Sequence, residues 1–177
     1  GHLNRNILAK DIDAVLNTLG FADAAPKGTK FLVAPATGTG PDAPISGEKM
    51  ALFFALYRVS DFETAKKMAR EIHAYQGRGH SLGLHSKDDN RARELAMDMH
   101  ACRIIVNQAH CFATGGSLDN ALPFSLSMGC GSWGSNSISE NMNYRHFINT
   151  VRVVTRIKPQ TISPDDFLMG YWSRYGK

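Results

Sequence analysis

The chain has 177 residues, 43% of them hydrophobic and 20% charged, which suits one domain with a packed core. Its three cysteines exclude a small fold stabilised by several disulfide bonds, and they predict a reducing, cytoplasmic compartment. No apolar run approaches the roughly 20 residues that cross a bilayer, and the net charge of +4 is scattered. We therefore expect neither a membrane nor a nucleic-acid partner.

The first part of the chain predicts a helix, a strand and a long loop. An apolar stripe at helical spacing ends at Gly20, a residue that readily closes a helix, and consists of Leu8, Ile12, Val15, Leu16 and Leu19. Residues 30–34 resemble a short buried strand. Residues 35–47 contain three prolines and three glycines, so we expect a loop of the length that often carries function.

Strands and helices then alternate. Residues 51–59 form a continuous apolar run, as expected for a strand covered on both faces. Ser60 and Glu63 have the spacing of a capping box, which predicts a helix from there to about Tyr75.

The alternation continues as far as Asn107. We expect a strand at 80–85, a helix at 86–100 and a strand at 103–107, the helix burying a face made of Ala92, Leu95, Ala96 and Met99. Such alternation predicts an α/β fold with parallel strands joined by helical crossovers.

The pattern changes in the last third of the chain. Residues 109–149 are rich in Gly, Ser and Asn. Residues 150–157 alternate between apolar and polar side chains, which predicts a half-exposed strand that pairs with another element or another subunit. Ser163 followed by Pro164 predicts the start of a short C-terminal helix.

The segment Gly129–Gly134 matches the pattern G-x-G-x-x-G of dinucleotide-binding loops. That role requires a strand before it and an acidic residue at the end of the next strand. The next convincing strand ends at Lys158 without a carboxylate, and Trp133 would crowd the phosphates. A structural glycine turn is therefore the favoured interpretation.

The cysteines and histidines give weaker signals. His110 and Cys111 are adjacent, whereas a catalytic thiol–imidazole pair usually converges from separate segments. No zinc-ligand spacing links His100, Cys102, His110 and Cys111, so we expect no metal. Cys130 lies in a glycine turn, where a small residue fits. His80 remains a candidate proton carrier because it lies at a strand edge beside a glycine-rich turn.

Glu48 is the most informative carboxylate. It closes the long loop just before the strand at 51–59, so its side chain is expected at a strand mouth. Paired carboxylate oxygens at that place suit ribose hydroxyls.

Four segments together resemble acylating, coenzyme-A-dependent aldehyde dehydrogenases, including the aldehyde dehydrogenase half of the bifunctional aldehyde/alcohol enzymes. They are ISGEKMALFFALYRVSDFETA (45–65), GRGHSLGLHS (77–86), RIIVN (103–107) and, most specifically, LSMGCGSWGSNSISENMNYRHFIN (126–149). The resemblance covers residues 5–157 and identifies the C-terminal, catalytic-domain part of such an enzyme.

The resemblance implies a domain organisation. Residues 1–149 would be a partial catalytic domain of the aldehyde dehydrogenase fold, parallel-stranded with helices on both faces. Residues 150–160 would be an oligomerisation arm whose strand at 150–157 pairs subunits into a homo-oligomer. Residues 161–177 would form a tail with a short helix.

The resemblance also implies the chemistry, which is oxidation of a small aldehyde by NAD and transfer of the acyl group from a cysteine to coenzyme A. Glu48 matches the carboxylate that binds the nicotinamide-side ribose, and Met50 the position beside that ring. Residues 108–116 match the aldehyde pocket, with Gln108, His110 and Phe112 as lining candidates.

The family's nucleophilic cysteine and dinucleotide domain match no part of this chain and are expected upstream. The chain is thus expected to be a fragment that is inactive by itself. An interaction module built from the same domain is the alternative, and an independent thiol enzyme using Cys111 a weaker one. Arg78 and Arg145 are candidates for holding an anionic substrate such as sulfoacetaldehyde. Binding of solvent or of the coenzyme phosphates by these arginines is an equal alternative, and acetaldehyde and propanal are also open as substrates.

Overall fold

A computed structural model describes residues 4–161 and 163–177. The chain divides into a larger compact unit that ends at Phe147 and a smaller unit, Ile148–Lys177.

Four short strands in the described part of the larger unit form two parallel pairs. The first pair is β1 (Leu32–Pro35) with β2 (Phe53–Leu56), and the second is β3 (Leu82–Leu84) with β4 (Ile104–Val106). The predicted α/β class with parallel strands is confirmed, although each strand is shorter than its apolar run.

Among the described residues of the larger unit, four α-helices accompany these strands: α1 (Ile12–Leu19), α2 (Phe62–Tyr75), α3 (Asn90–Asp98) and the single turn α4 (His110–Ala113). Across the described ranges, no helix combines the length and the apolar character that a membrane crossing requires.

Helix α1 begins later than its stripe predicts. Asp11 is the N-cap, and its carboxylate accepts a hydrogen bond from the Ala14 amide at 2.8 Å, so Leu8 lies outside the helix. Val15 and Leu16 are buried as predicted. Gly20 closes the helix in the left-handed conformation at φ +74°, where a side chain would be strained.

Helix α2 has the predicted length but a different cap. Asp61, not Ser60, is the N-cap, and its carboxylate accepts a hydrogen bond from the Thr64 amide at 2.8 Å. Ser60 instead donates its hydroxyl to Asp61. The predicted capping box is thus wrong by one residue, because an ionised carboxylate is the stronger acceptor.

The core lies where α3 packs beside β3 and α2. Leu84, Leu95 and Met99 form its centre, with Phe62 and Ala69 of α2 packed against them. Ala96, predicted on the buried face of α3, is exposed. The buried face of this short helix is narrower than the predicted stripe.

The prediction that residues 51–59 are covered on both faces is wrong for this chain. Phe54 is 50% and Leu56 is 43% exposed, so alternate residues of β2 reach solvent. The pair β1–β2 has one face packed by the described residues and one open face.

The smaller unit contains α5 (Pro164–Tyr175), which begins where the sequence predicts. Ser163 accepts a hydrogen bond from the Asp165 amide, and Asp166 accepts one from the Ser163 amide. Within this chain, residues 150–160 pair with no described strand. A strand there needs a partner for its hydrogen bonds, so the predicted arm remains a prediction.

Candidate functional site

An open cavity of about 330 Å³ in the larger unit brings together three of the predicted site residues. Glu48, His80 and His110 line it, and they come from the loop before β2, the turn before β3 and the start of α4. The rest of its lining is Ser46, Gly47, Ile72, His73, Gln76, Gly77 and Ser81.

The backbone of Glu48 is held at the cavity by α2. The Glu48 amide donates to Gln76 Oε1 at 2.7 Å. Gly47 permits this approach, since a Cβ there would lie 2.4 Å from the same Oε1 atom. The Glu48 carboxylate is exposed and forms no ion pair with a described residue, so its oxygens are free to accept hydrogen bonds from a ligand.

Lys49 supports the loop from the other side. Its ammonium group donates to the carbonyls of Ile45 at 2.6 Å and Gly47 at 2.7 Å. Burial lowers the pKa of Lys49 below its ordinary value. These contacts close the turn that carries the carboxylate of Glu48 to the cavity.

His80 and His110 are bridged by one hydroxyl group. His80 Nδ1 lies 2.7 Å from Ser81 Oγ, and Ser81 Oγ lies 2.9 Å from His110 Nε2. The His110 ring lies over β3, because a Cβ on Gly83 would be 2.8 Å from His110 Nδ1. Ser81 directly precedes β3 and, like Gly83, lies beside the His110 ring, as alternate residues of an extended backbone do.

The turn after β4 sets the position of α4. Asn107 has a left-handed backbone at φ +53°. Its side-chain amide donates to the Ser86 carbonyl at 2.9 Å and accepts from the Ser86 amide at 2.9 Å. This double contact ties the ends of β3 and β4 together and fixes where His110 begins its helical turn.

The imidazoles of the cavity are favoured in the neutral form. Burial lowers the pKa of His80, the charge of Arg103 lowers it further, and the Glu48 carboxylate opposes both. Burial also lowers the pKa of His110, with further contributions from His80 and His73. Burial likewise lowers the pKa of His73.

Three other predicted residues lie outside the lining of this cavity. Met50 is 60% exposed and has a left-handed backbone at φ +44°, and its carbonyl accepts from the Ala9 amide. Gln108 Oε1 accepts a hydrogen bond from Asn120 at 3.1 Å. Phe112 is 76% exposed on α4. Met50 and Phe112 therefore present apolar surface to solvent in this chain.

The two arginines proposed for an anionic substrate do not meet. Arg78 lines a second cavity of about 260 Å³ together with Arg70, His73 and His100. Arg145 lines neither cavity, and its guanidinium lies 5.9 Å from the Tyr144 ring centroid.

None of the three cysteines, all of which are described, lines the Glu48 cavity. Burial raises the pKa of the Cys102 thiol, which disfavours the thiolate. Cys111 is exposed on α4, and Cys130 lies just before a one-turn 3₁₀ helix, Ser132–Gly134. No metal-holding group of three or more His, Cys, Asp or Glu side chains occurs among residues 4–161 and 163–177.

Sequence reasoning missed Ser81 and Gln76. Ser81 is adjacent to His80, and the period of two of an extended backbone places it on the same side as Gly83. That pattern could have drawn attention to it. Gln76 ends α2, and its contact with Glu48 joins residues 28 positions apart, which no local pattern reports.

No protein-family model matches the chain. Among curated proteins, it is 46% identical over 147 residues to an acylating sulfoacetaldehyde dehydrogenase of Cupriavidus necator, a match covering 83% of this chain and 30% of that protein. It is 36% identical over 160 residues to a bifunctional aldehyde-alcohol dehydrogenase of Escherichia coli, covering 88% of this chain and 18% of that protein.

Solved structures give the same result. An acetylating aldehyde dehydrogenase from Geobacillus thermoglucosidasius superposes with a TM-score of 0.81 at 31% identity, covering 92% of this chain and 35% of that chain. The chain thus spans about a third, or less, of the length of these relatives. The resemblance is confirmed: this chain belongs to the acylating aldehyde dehydrogenases, as a partial region of their fold.

Proposed function

We propose that the chain forms part of the catalytic domain of an NAD-dependent acylating aldehyde dehydrogenase, which converts an aldehyde and coenzyme A into an acyl-CoA through a cysteine thioester. The observation that carries the proposal is the cavity shared by Glu48, His80 and His110. The two relatives' printed activities, both on aldehydes, support it.

Glu48 is proposed to bind the nicotinamide-side ribose of NAD. Its carboxylate fits that group, because the backbone is anchored by Gln76 while the oxygens are exposed and unpaired. Charged acceptors make the stronger hydrogen bonds to hydroxyl groups. NAD, when bound, supplies the hydride acceptor. Met50, two residues along and exposed, offers apolar surface for packing beside the ring.

His80 is proposed to hold and move a proton in the cavity. A neutral imidazole accepts a proton readily, and burial keeps His80 in that form near neutral pH. A proton acceptor is needed where a thiol must lose its proton before attacking a thioester, as the thiol of coenzyme A does. His110, with Gln108 and Phe112 near it in the chain, is proposed to line the aldehyde pocket.

A small anionic aldehyde is the proposed substrate. Arg78 brings a guanidinium group to the second cavity, which shares His73 with the first, whereas Arg70 in the same lining is paired with Asp98 at 3.5 Å. Guanidinium groups bind sulfonate and carboxylate well, and the Cupriavidus necator relative is named for sulfoacetaldehyde.

Self-association through residues 150–157 is also proposed, and it is the basis of the alternative in which the chain serves as an interaction module. Val151, Val153, Val154 and Ile157 are each more than 75% exposed. Pairing with a second copy would bury this apolar surface and satisfy the backbone of the segment.

A chimera tests the function. The aligned segment of the Cupriavidus necator relative is replaced by the corresponding residues of this chain, and acyl-CoA formation from sulfoacetaldehyde, NAD and coenzyme A is measured. We expect turnover by the chimera and none by the 177-residue chain alone. A folded chimera without turnover on any aldehyde would contradict the proposal, as would turnover by the isolated chain.

A further inference from the structure

Ser81 occupies an unusual place between two imidazole rings. Its Oγ atom lies 2.7 Å from His80 Nδ1 and 2.9 Å from His110 Nε2, and it has no third hydrogen-bond partner among the described residues. A serine hydroxyl carries one hydrogen and accepts through its lone pairs. It can therefore donate to only one of the two rings.

Because the hydroxyl has one hydrogen, the protons on the two rings can be arranged in only a few ways. If the hydroxyl donates to His110 Nε2, then His110 carries its proton on Nδ1, and His80 must donate to the hydroxyl from its own Nδ1. If the hydroxyl donates to His80 Nδ1, both rings carry their protons on Nε2. An arrangement in which both rings donate leaves the hydroxyl hydrogen without an acceptor, which is costly for a half-buried group.

We infer that Ser81 couples His80 and His110 into one hydrogen-bonded relay in which both rings always hold the same tautomer. Ser81 and His110 are thus positioning residues that decide whether Nε2 of His80 is a proton acceptor or a donor. The coupling itself stands on these distances. Its use in catalysis rests on the proposed function of the cavity.

The relay moves one proton and no electrons. Starting with both rings protonated on Nδ1, a proton binds Nε2 of His80, and the Nδ1 proton of His80 passes to Ser81 Oγ. The original hydroxyl proton of Ser81 passes to Nε2 of His110, and the Nδ1 proton of His110 is released. That Nδ1 atom lies beside Gly83, which is exposed, so solvent can take the proton.

The surroundings favour neutral rings, which the relay requires in its resting state. Two charged groups act on His80. The charge of Arg103, which precedes β4, disfavours protonation of His80, and the carboxylate of Glu48 favours it. Burial lowers the pKa of His110, and charge on His80 or on His73 of α2 lowers it further.

The tautomers can be measured directly on the 177-residue chain. Long-range proton–nitrogen correlation spectra of the ¹⁵N-labelled protein, recorded above the titration range of its imidazoles, report which nitrogen of each ring carries the proton. We expect His80 and His110 to show the same tautomer. Opposite tautomers in the folded wild-type chain would overturn the inference, whatever the variants do.

A matched pair of variants tests the role of the hydroxyl. Ser81→Thr keeps the hydroxyl, and Ser81→Val has the shape of threonine without it. We expect the wild-type tautomers in Ser81→Thr and a change in the nitrogen shifts of both rings in folded Ser81→Val. Ser86→Ala, beyond the other end of β3, is the control and should leave both rings unchanged.

Unchanged rings in folded Ser81→Val would overturn the inference. Because the readout is spectroscopic and needs no cofactor or substrate, it is independent of the chimera. Coupled tautomers with an inactive chimera would overturn the proposed function alone.

Discussion

Buried polar side chains fix the segment that follows β4 in the larger unit. Arg103 is only 5% exposed, and its two terminal nitrogens donate to the Gly129 carbonyl at 3.0 and 2.7 Å. Asn141 is 1% exposed and donates to the carbonyls of Thr114 and Pro123, both at 2.9 Å. The sequence reveals neither role, because each partner lies many residues away and a polar residue beside a strand usually faces solvent.

The Arg103 contact has a measurable energetic consequence. Arg103→Met keeps much of the length and apolar stem but leaves the Gly129 carbonyl without its donors. Hydrogen bonds to charged groups contribute about 1.5–3 kcal/mol, so we expect the free energy of unfolding to fall by about 3 kcal/mol in denaturant titrations. Arg93→Met, at an exposed position on α3, is the matched control. Equal stability of the two variants would show that the buried contact contributes nothing.

Helices and strands are the scale at which the sequence was most informative. The apolar runs at 51–59 and 103–107 locate β2 and β4, and the alternation with helices predicts the parallel pairing of β4 with β3 across α3. β2 pairs in parallel with β1 instead, across a connection that contains no α-helix. The ends of the elements were less predictable. Hydrogen bonding to a specific side chain decides where a helix begins, and at α2 that side chain is Asp61, adjacent to the predicted cap Ser60.

The cap of α2 predicts a pH dependence. Donation from the Ser60 hydroxyl and the Thr64 amide holds the pKa of Asp61 below its ordinary value. The resulting stabilisation is complete above the unfolded-state pKa of about 4 and is lost as the pH falls through the lower folded-state pKa.

Asp61→Asn retains a side-chain acceptor but removes the charge. We expect the wild type to be the more stable at neutral pH, and its advantage to shrink as the pH falls below about 4. Unfolding free energies over this pH range measure it, with Asp42→Asn in the exposed loop as the control. An advantage that is independent of pH would exclude an ionised cap.

For the whole molecule, the surfaces that the chain leaves open were the hardest to foresee. A continuous apolar run predicts that a strand is buried, but it does not show which residues cover the strand. In this chain one face of β2 is open. Of the predicted site, Glu48, His80 and His110 meet at one cavity, whereas Met50, Gln108 and Phe112 do not line it. The bridging hydroxyl of Ser81 depends on the packing of α4 over β3.

Residues 150–157 form the segment through which we expect the chain to self-associate. Val153 is 89% exposed on the alternating apolar face. We expect the wild-type chain to self-associate in sedimentation experiments at high protein concentration, and Val153→Asp to shift the protein towards the monomer. Thr155→Asp, on the same segment, adds the same charge without removing an apolar side chain and is expected to have a smaller effect. A strictly monomeric wild type would contradict the proposed arm.

The most direct measurement on the central claim uses Glu48→Gln in the chimera. The amide keeps the shape of the carboxylate and loses its charge, so the ribose is held less firmly. Hydride transfer depends on placement to within about an ångström, and we expect its single-turnover rate to fall about a hundredfold. Acylation of the enzyme by an activated ester, which needs no hydride acceptor, should be nearly unchanged, and Asp42→Asn should alter neither rate. Wild-type NAD binding and hydride transfer in Glu48→Gln would contradict the account.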